Sequence, residues 1–164
     1  MALGKGDVFV DVGCGAGDYS LAAAAIVGET GRVVALDQLQ SSIDWLNARG
    51  RVPGAAGING LVCDITDRLP LENGRADVAM LGTVLHIRWV REKADGLLAE
   101  IRRILRPGGM LAVLECKKEE ADFGPPLHSR LSPEEVAALA APLGFRKESE
   151  RILEHTYLAC FRAD

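Results

Sequence analysis

Between the apolar run Val8-Phe9-Val10 and the stretch Leu21-Ala22-Ala23-Ala24-Ala25-Ile26-Val27 lies Asp11-Val12-Gly13-Cys14-Gly15-Ala16-Gly17-Asp18-Tyr19. The first run reads as a buried strand and the second as a helix. Glycines at alternate positions between them let a ligand approach the backbone closely. The N-terminus of the helix offers N–H groups without intrahelical partners to an anionic group. The acid ahead of the glycines narrows the choice of ligand.

The rest of the chain repeats the strand-then-helix alternation. Further strands are expected at Arg32–Asp37, about Asn59–Cys63, Asp77–Gly82 and Met110–Glu115. Their apolar runs are continuous rather than alternating, which suits a sheet covered on both faces. Helices are expected from Asp18 to near Gly28, over Ser41–Arg49 with Gly50 as its C-cap, and from Trp89 to Leu105. In the last of these, Val90, Ala94, Leu97, Leu98, Ile101 and Leu105 recur at helical spacing. Pro107-Gly108-Gly109 stops it. No helical pattern joins the third and fourth strands. Ser132-Pro133-Glu134-Glu135 is a capping box that opens one more helix, which Gly144 ends. Phe145–Leu153 and Thr156–Arg162 then follow so closely that they form an antiparallel hairpin, because parallel strands need a long crossover.

The 164 residues suit one domain, 1–164, with enough chain for a sizeable core. A hydrophobic share of 48% and a charged share of 26% belong to a globular chain. A net charge of −4 gives no sign of a dedicated nucleic-acid binder. Arg102, Arg103 and Arg106 cluster near a helix end, where cations complement the dipole. No apolar stretch reaches membrane-spanning length, and no signal-peptide core stands apart from the first strand. A cytoplasmic protein is expected. Cys14, Cys63, Cys116 and Cys160 form no CxxC pair, so neither structural zinc nor another metal site is expected.

A dinucleotide site requires GxGxxG, with the pyrophosphate at the helix N-terminus. Here the spacing is GxGxG, Asp18 occupies the completing position, and Asp11 precedes the loop. Two carboxylates would repel a pyrophosphate. S-adenosylmethionine (SAM) has an ammonium that an acid can pair with and a carboxylate that backbone N–H groups can take, and it has no phosphate. The loop therefore fits SAM better than NAD. Asp37, ending the second strand, can accept both ribose hydroxyls of either cofactor. Asp64 can accept an adenine amino group while Ile65 donates its N–H, or it can simply cap a turn.

Five stretches in order resemble the class I SAM-dependent methyltransferases, and the small-molecule enzymes of ubiquinone and menaquinone biosynthesis in particular. They are Val10–Gly17, Val34–Asp37, Cys63–Ile65, Ala76–His86 and Leu105–Leu111. The resemblance implies an α/β, Rossmann-like, doubly wound sheet of seven strands in order 3-2-1-4-5-7-6, with strand 7 antiparallel. It implies that Asp11, Gly13, Gly15 and Gly17 hold the methionine part of SAM and that Asp37 holds the ribose. Gln38 would pack on the adenine edge, Asp64 and Ile65 would hold the adenine, and the Leu81 backbone would touch the cofactor from strand 4. Relatives usually carry one or two helices before the first strand, and this sequence shows none.

Methyl transfer is an in-line displacement that mainly requires alignment and exclusion of water, with a base only where the nucleophile must lose a proton. His86 is the candidate catalytic residue, as a base or a group orienting the acceptor; a cap for the strand 4 loop is the structural alternative. His128 and Arg130 lie beyond strand 5, where an anionic substrate or a loop hydrogen bond would use them. Tyr19 is expected beside the cofactor, Cys116 as a buried small hydrophobe, and Trp45 and Trp89 as packing or interface groups. An exposed face around Trp89 would suggest a homodimer. The expected partner is a small-molecule methyl acceptor. The competing readings are a non-catalytic SAM-binding or partner-binding module and an NAD-dependent oxidoreductase.

Overall fold

The computed structural model describes residues 3–49 and 53–164; Gly50, the expected cap, lies outside them. The elements run β1 (Val8–Val12), α1 (Asp18–Val27), β2 (Arg32–Asp37), α2 (Gln40–Arg49), β3 (Ile58–Val62), β4 (Ala76–Gly82), α3 (Arg88–Glu92), α4 (Ala94–Ile104), β5 (Leu105–Cys116), α5 (Pro133–Ala140), β6 (Phe145–Ile152) and β7 (Thr156–Ala163). One seven-stranded sheet has the order β3-β2-β1-β4-β5-β7-β6. The strands β1 to β5 pair in parallel, and β7 runs antiparallel to both β5 and β6. The expected topology is the observed one.

Strand periodicity divides the apolar residues between two layers. Val10, Val34, Leu36, Leu81, Leu111 and Val113 face one side, against Leu97, Leu98 and Ile101 of α4 and Val136 and Ala140 of α5. Phe9, Val33, Val78, Met80, Met110 and Ala112 face the other, against Ala23, Ala24 and Val27 of α1. Ile43 and Leu46 of α2 close a third cluster over Ala35. Both faces are covered over the centre of the sheet, which is why the strands read as unbroken apolar runs. At the edge, β6 keeps only Phe145 buried, and its remaining residues, Arg146 to Ile152, are exposed.

Two expectations change. The helix expected over Trp89–Leu105 is two helices. Lys93 leaves helical geometry at φ −114°, donates its N–H to Val90 O at 3.1 Å and accepts from Leu97 N at 3.1 Å, so it ends α3 and begins α4. Val90 and Ala94 stay buried on either side of the break, so the apolar spacing conceals it. Leu105 does not close the helix: it opens β5 by pairing with Ala76. Pro107 falls within the register shift that follows, where a missing N–H costs no ladder bond. The Ser132 capping box forms as expected, with Ser132 Oγ accepting from Glu135 N and Ser132 N donating to Glu135.

The connection between β3 and β4 contains no helix, and the arginine cluster accounts for its order. Arg103 donates to Leu69 O at 3.0 Å, Leu71 O at 2.7 Å and Asn73 Oδ1 at 2.9 Å while pairing with Glu100, which accepts from Leu69 N at 2.9 Å. Arg106 pairs with Asp77. Arg103 therefore ties the connection to α4, and Arg106 ties the start of β5 to the start of β4, in addition to their sitting near a helix end. Arg103→Ala leaves two part-buried carbonyls without their donor and should cost about 2 kcal/mol by urea denaturation. Hydrogen exchange should quicken within 63–75 and stay unchanged in α5.

Candidate functional site

The site is built from the C-terminal end of β2. Leu36 O accepts from both Gly13 N (2.8 Å) and Cys14 N (2.9 Å), folding the loop after β1 back over β2. Asp37 completes the anchor: Oδ2 accepts from Gly15 N at 2.8 Å and Oδ1 from Leu39 N at 2.9 Å. Gly13, Gly15 and Gly17 all have positive φ, at 80°, 50° and 84°. Two of them are also tight contacts. A Cβ on Gly13 would lie 2.8 Å from Val84 Cγ2, and one on Gly17 would lie 2.6 Å from Leu46 Cδ1. Gly17 caps α1 without any side-chain bond, so the first-turn N–H groups remain available.

A cleft of about 440 Å³ opens between this loop and the end of β4. Gly13 to Tyr19, Asp37 and Gln38 line one side. Gly82, Thr83, Val84, Ile87, Trp89 and Val90, which end or follow β4, line the other, and Ile65 reaches the cleft from the exit of β3. Across it, Tyr19 covers Gly82, whose added Cβ would sit 3.1 Å from Tyr19 Cε2. This is the carboxyl end of the central parallel strands, where open α/β sheets bind ligands.

Electrostatically the cleft is asymmetric. Asp11, fully buried beneath the loop, bonds through Oδ2 to Ser20 Oγ at 2.6 Å, while its Oδ1 has no partner. Burial pushes its pKa up to about 6, against the lowering effect of Ser20. Burial, then Asp11 and Asp37, push the Cys14 thiol up to about 12, so it is a wall of the cleft and not a nucleophile. Beside the far wall, Glu115 of β5 is 1% exposed. Its Oε1 accepts from Leu85 N at 2.7 Å and His86 N at 3.3 Å, and its Oε2 meets His86 Nδ1 at 3.0 Å.

Residues 10–113 match the methyltransferase-domain family. The chain belongs to the SAM-dependent methyltransferases. It is 34% identical over 114 residues to the ubiquinone/menaquinone biosynthesis C-methyltransferase of Haemophilus ducreyi, covering 70% of this chain and 43% of that protein. To the demethylmenaquinone methyltransferase of Staphylococcus aureus it is 34% identical over 121 residues, covering 72% and 46%. The chain spans less than half the length of these curated relatives. A SAM-dependent methyltransferase from Aquifex aeolicus has the same fold, with a TM-score of 0.87 and 25% identity over 99% of this chain and 85% of that one.

In this chain Gly13, Gly15, Gly17, Asp37, Gln38 and Ile65 meet in the cleft, together with Tyr19. Other expected positions lie elsewhere. Asp11 is beneath the loop and not in the cleft wall. Asp64 caps its own turn: its Oδ1 accepts from Thr66 N at 2.8 Å and Thr66 Oγ1 at 2.7 Å, bonds that hold its carboxyl below the usual range. The Leu81 side chain is turned by the sheet pleat into the α4 layer, and Gly82, Thr83 and Val84 beside it line the wall. His86 is outside the lining, 21% exposed, and bonded to Glu115. Arg130 is buried and organises the loop after β5 by donating to the carbonyls of Lys117, Glu119, Phe123 and Pro125. Trp89 borders the cleft and is partly exposed.

Glu115, Thr83 and Ile87 received no role from the sequence, and Val90 only that of a helix core position. Glu115 alone left a signal, a carboxylate inside the apolar run Leu111-Ala112-Val113-Leu114 and Cys116. Among the described residues no group of three or more His, Cys, Asp or Glu is placed to hold a metal ion, and no helix is long and apolar enough to cross a membrane.

The folded pKa of Asp11, about 6, exceeds its ordinary 3.8, so the folded chain binds that proton more tightly than the unfolded chain. Its contribution to stability is fully present below about pH 4 and is lost as pH rises through about 6, a decline on the order of 3 kcal/mol. Urea titrations without cofactor across this range should show Asp11→Asn lacking that decline and exceeding the parent's stability at neutral pH.

Proposed function

We propose that residues 1–164 form one SAM-binding unit that transfers a methyl group to a small-molecule acceptor by in-line displacement. The observation that carries this reading is the pairing of the glycine loop with Asp37 in one cleft. A carboxylate has about four acceptor sites, so after the Gly15 and Leu39 N–H groups Asp37 keeps lone pairs for two ribose hydroxyls. Gly13 and Gly17 bring the backbone to the methionine part, with the α1 N-terminus facing its carboxylate. The orphaned Asp11 oxygen fits a cation arriving at the loop, and its unpartnered charge disfavours a pyrophosphate there. Gln38 and Ile65 flank the adenine, while Asp64 reaches it only through the oxygen its turn leaves over. On the β4 side, Gly82 serves in the role expected of the Leu81 backbone.

When bound, SAM supplies an electrophilic methyl, so the chain has only to align the acceptor and exclude water. Tyr19, Ile87 and Trp89 form the apolar rim suited to that. We assign His86 the proton-accepting role for acceptors that need it. With Nδ1–H donated to Glu115, the lone pair stays on Nε2. The names of the curated relatives favour a quinone-like acceptor. The four unpaired cysteines accord with a cytoplasmic setting.

Titration calorimetry with S-adenosylhomocysteine should give a Kd of about 1–100 μM, the range of ordinary enzyme ligands. Asp37→Ala should weaken it at least about tenfold, the value of a lost charged hydrogen-bond pair. NAD should give no heat. Labelled methyl transfer from SAM to a short-chain demethylmenaquinol then separates an enzyme from a binding module. Binding without turnover on this and related quinols favours the module, and absence of binding at millimolar cofactor overturns the reading.

A further inference from the structure

Thr83 is the one residue other than glycine with positive φ among the described residues, at 56°. At ten other positions where φ is positive the chain uses glycine. A β-branched residue in the left-handed region is sterically costly, and such strain collects at functional sites. The surrounding structure holds it there. Thr83 N donates to Leu114 O at 2.7 Å, and the next two N–H groups but one, from Leu85 and His86, are taken by Glu115 Oε1. On either side the turn is packed against the glycine-loop region, Gly82 under Tyr19 and Val84 against Gly13. Thr83 itself is exposed and lines the cleft.

Its hydroxyl is specified too. Oγ1 donates its one hydrogen to Gly82 O at 2.7 Å. What the hydroxyl of this cleft-lining residue keeps is its oxygen lone pairs, an acceptor with no hydrogen left to give. Glycine at this position would relieve the strain and lose only that oxygen and a methyl group. An acceptor kept at this cost suits a cation better than a neutral group.

We infer that Thr83 is a cofactor-contact residue that faces the sulfonium end of SAM with an acceptor oxygen, and so favours the charged cofactor over the neutral thioether product. The inference rests on the cofactor reading above. It gives the far wall of the cleft a part in product release: once the methyl has left, the positive charge that the Thr83 oxygen met is gone.

The test uses the whole chain and two probes, SAM and S-adenosylhomocysteine. Thr83→Gly should raise Tm, because the strain is relieved. It should weaken SAM about tenfold and S-adenosylhomocysteine no more than about threefold, the signature of a charge-assisted contact. Thr83→Ser, which keeps the hydroxyl without the branch, should restore the parent's preference between the two. Equal losses for both ligands, no loss for either, or a fall in Tm of Thr83→Gly each overturn the assignment. If the parent chain binds neither ligand, the cofactor reading fails first and this inference falls with it.

Discussion

The site depends on the last two residues of β2. The Leu36 carbonyl takes two N–H groups of the glycine loop, the Asp37 carboxylate takes a third and opens α2 through Leu39, and the Asp37 carbonyl takes Cys63 N from the exit of β3. Three chain segments that leave parallel strands in the same direction are thereby held to one strand end. Parallel neighbours emerge side by side, but nothing in the ladder fixes how their loops bend afterwards. Asp37 supplies that restraint. The same carboxylate is therefore a structural bolt and, in the proposed function, the ribose acceptor, with acceptor capacity left after its two N–H partners.

The opposite wall is held on the same plan by the end of β5. Leu114 and Glu115 together take the N–H groups of Thr83, Leu85 and His86. A buried carboxylate is unfavourable unless satisfied, and Glu115 is satisfied almost wholly by the turn after β4. The energetic consequence runs both ways: the turn satisfies the acid, and the acid keeps the turn in a geometry that Thr83 would otherwise leave. The two sides of the cleft are thus held by separate carboxylates, one on β2 and one on β5, with β1 and β4 delivering the residues that are clamped.

This division explains how much was legible in the sequence. The glycine loop could be read because its positive φ values and close contacts demand glycine, and Asp37 and Ile65 because they end or follow parallel strands, where the loops converge on one cleft. Asp64 left two readings open, and a threonine two residues on drew its carboxylate into the turn. Leu81 was read for its backbone, and its side chain packs in the core while Gly82, Thr83 and Val84 line the cleft; a pleated strand end presents alternate side chains to opposite layers, and an apolar run carries no mark of where it tips into the cleft. Glu115 and Thr83 were missed for a different reason. Their roles depend on hydrogen bonds across about 30 residues of chain, and no local periodicity encodes such a partner. The break at Lys93 was hidden because Val90 and Ala94 keep the same spacing in one helix or two.

Asp11 shows why a binding loop of this kind need not be at its most stable when empty. An acid buried without a full set of partners lowers stability at neutral pH, as its raised pKa states in another form. An uncharged residue would hold Ser20 as well and carry no such penalty. The penalty becomes useful when a cation approaches the loop, because an unsolvated carboxylate attracts it more strongly than a solvated one would. Binding then relieves part of the cost that folding incurred. On this argument the loop discriminates by charge before any direct contact forms: a ligand that brings an ammonium lowers the energy of Asp11, and one that brings a pyrophosphate raises it. In the proposed function, the glycines that admit the ligand and the acid that selects it lie within seven residues because the short turn after β1 must do both.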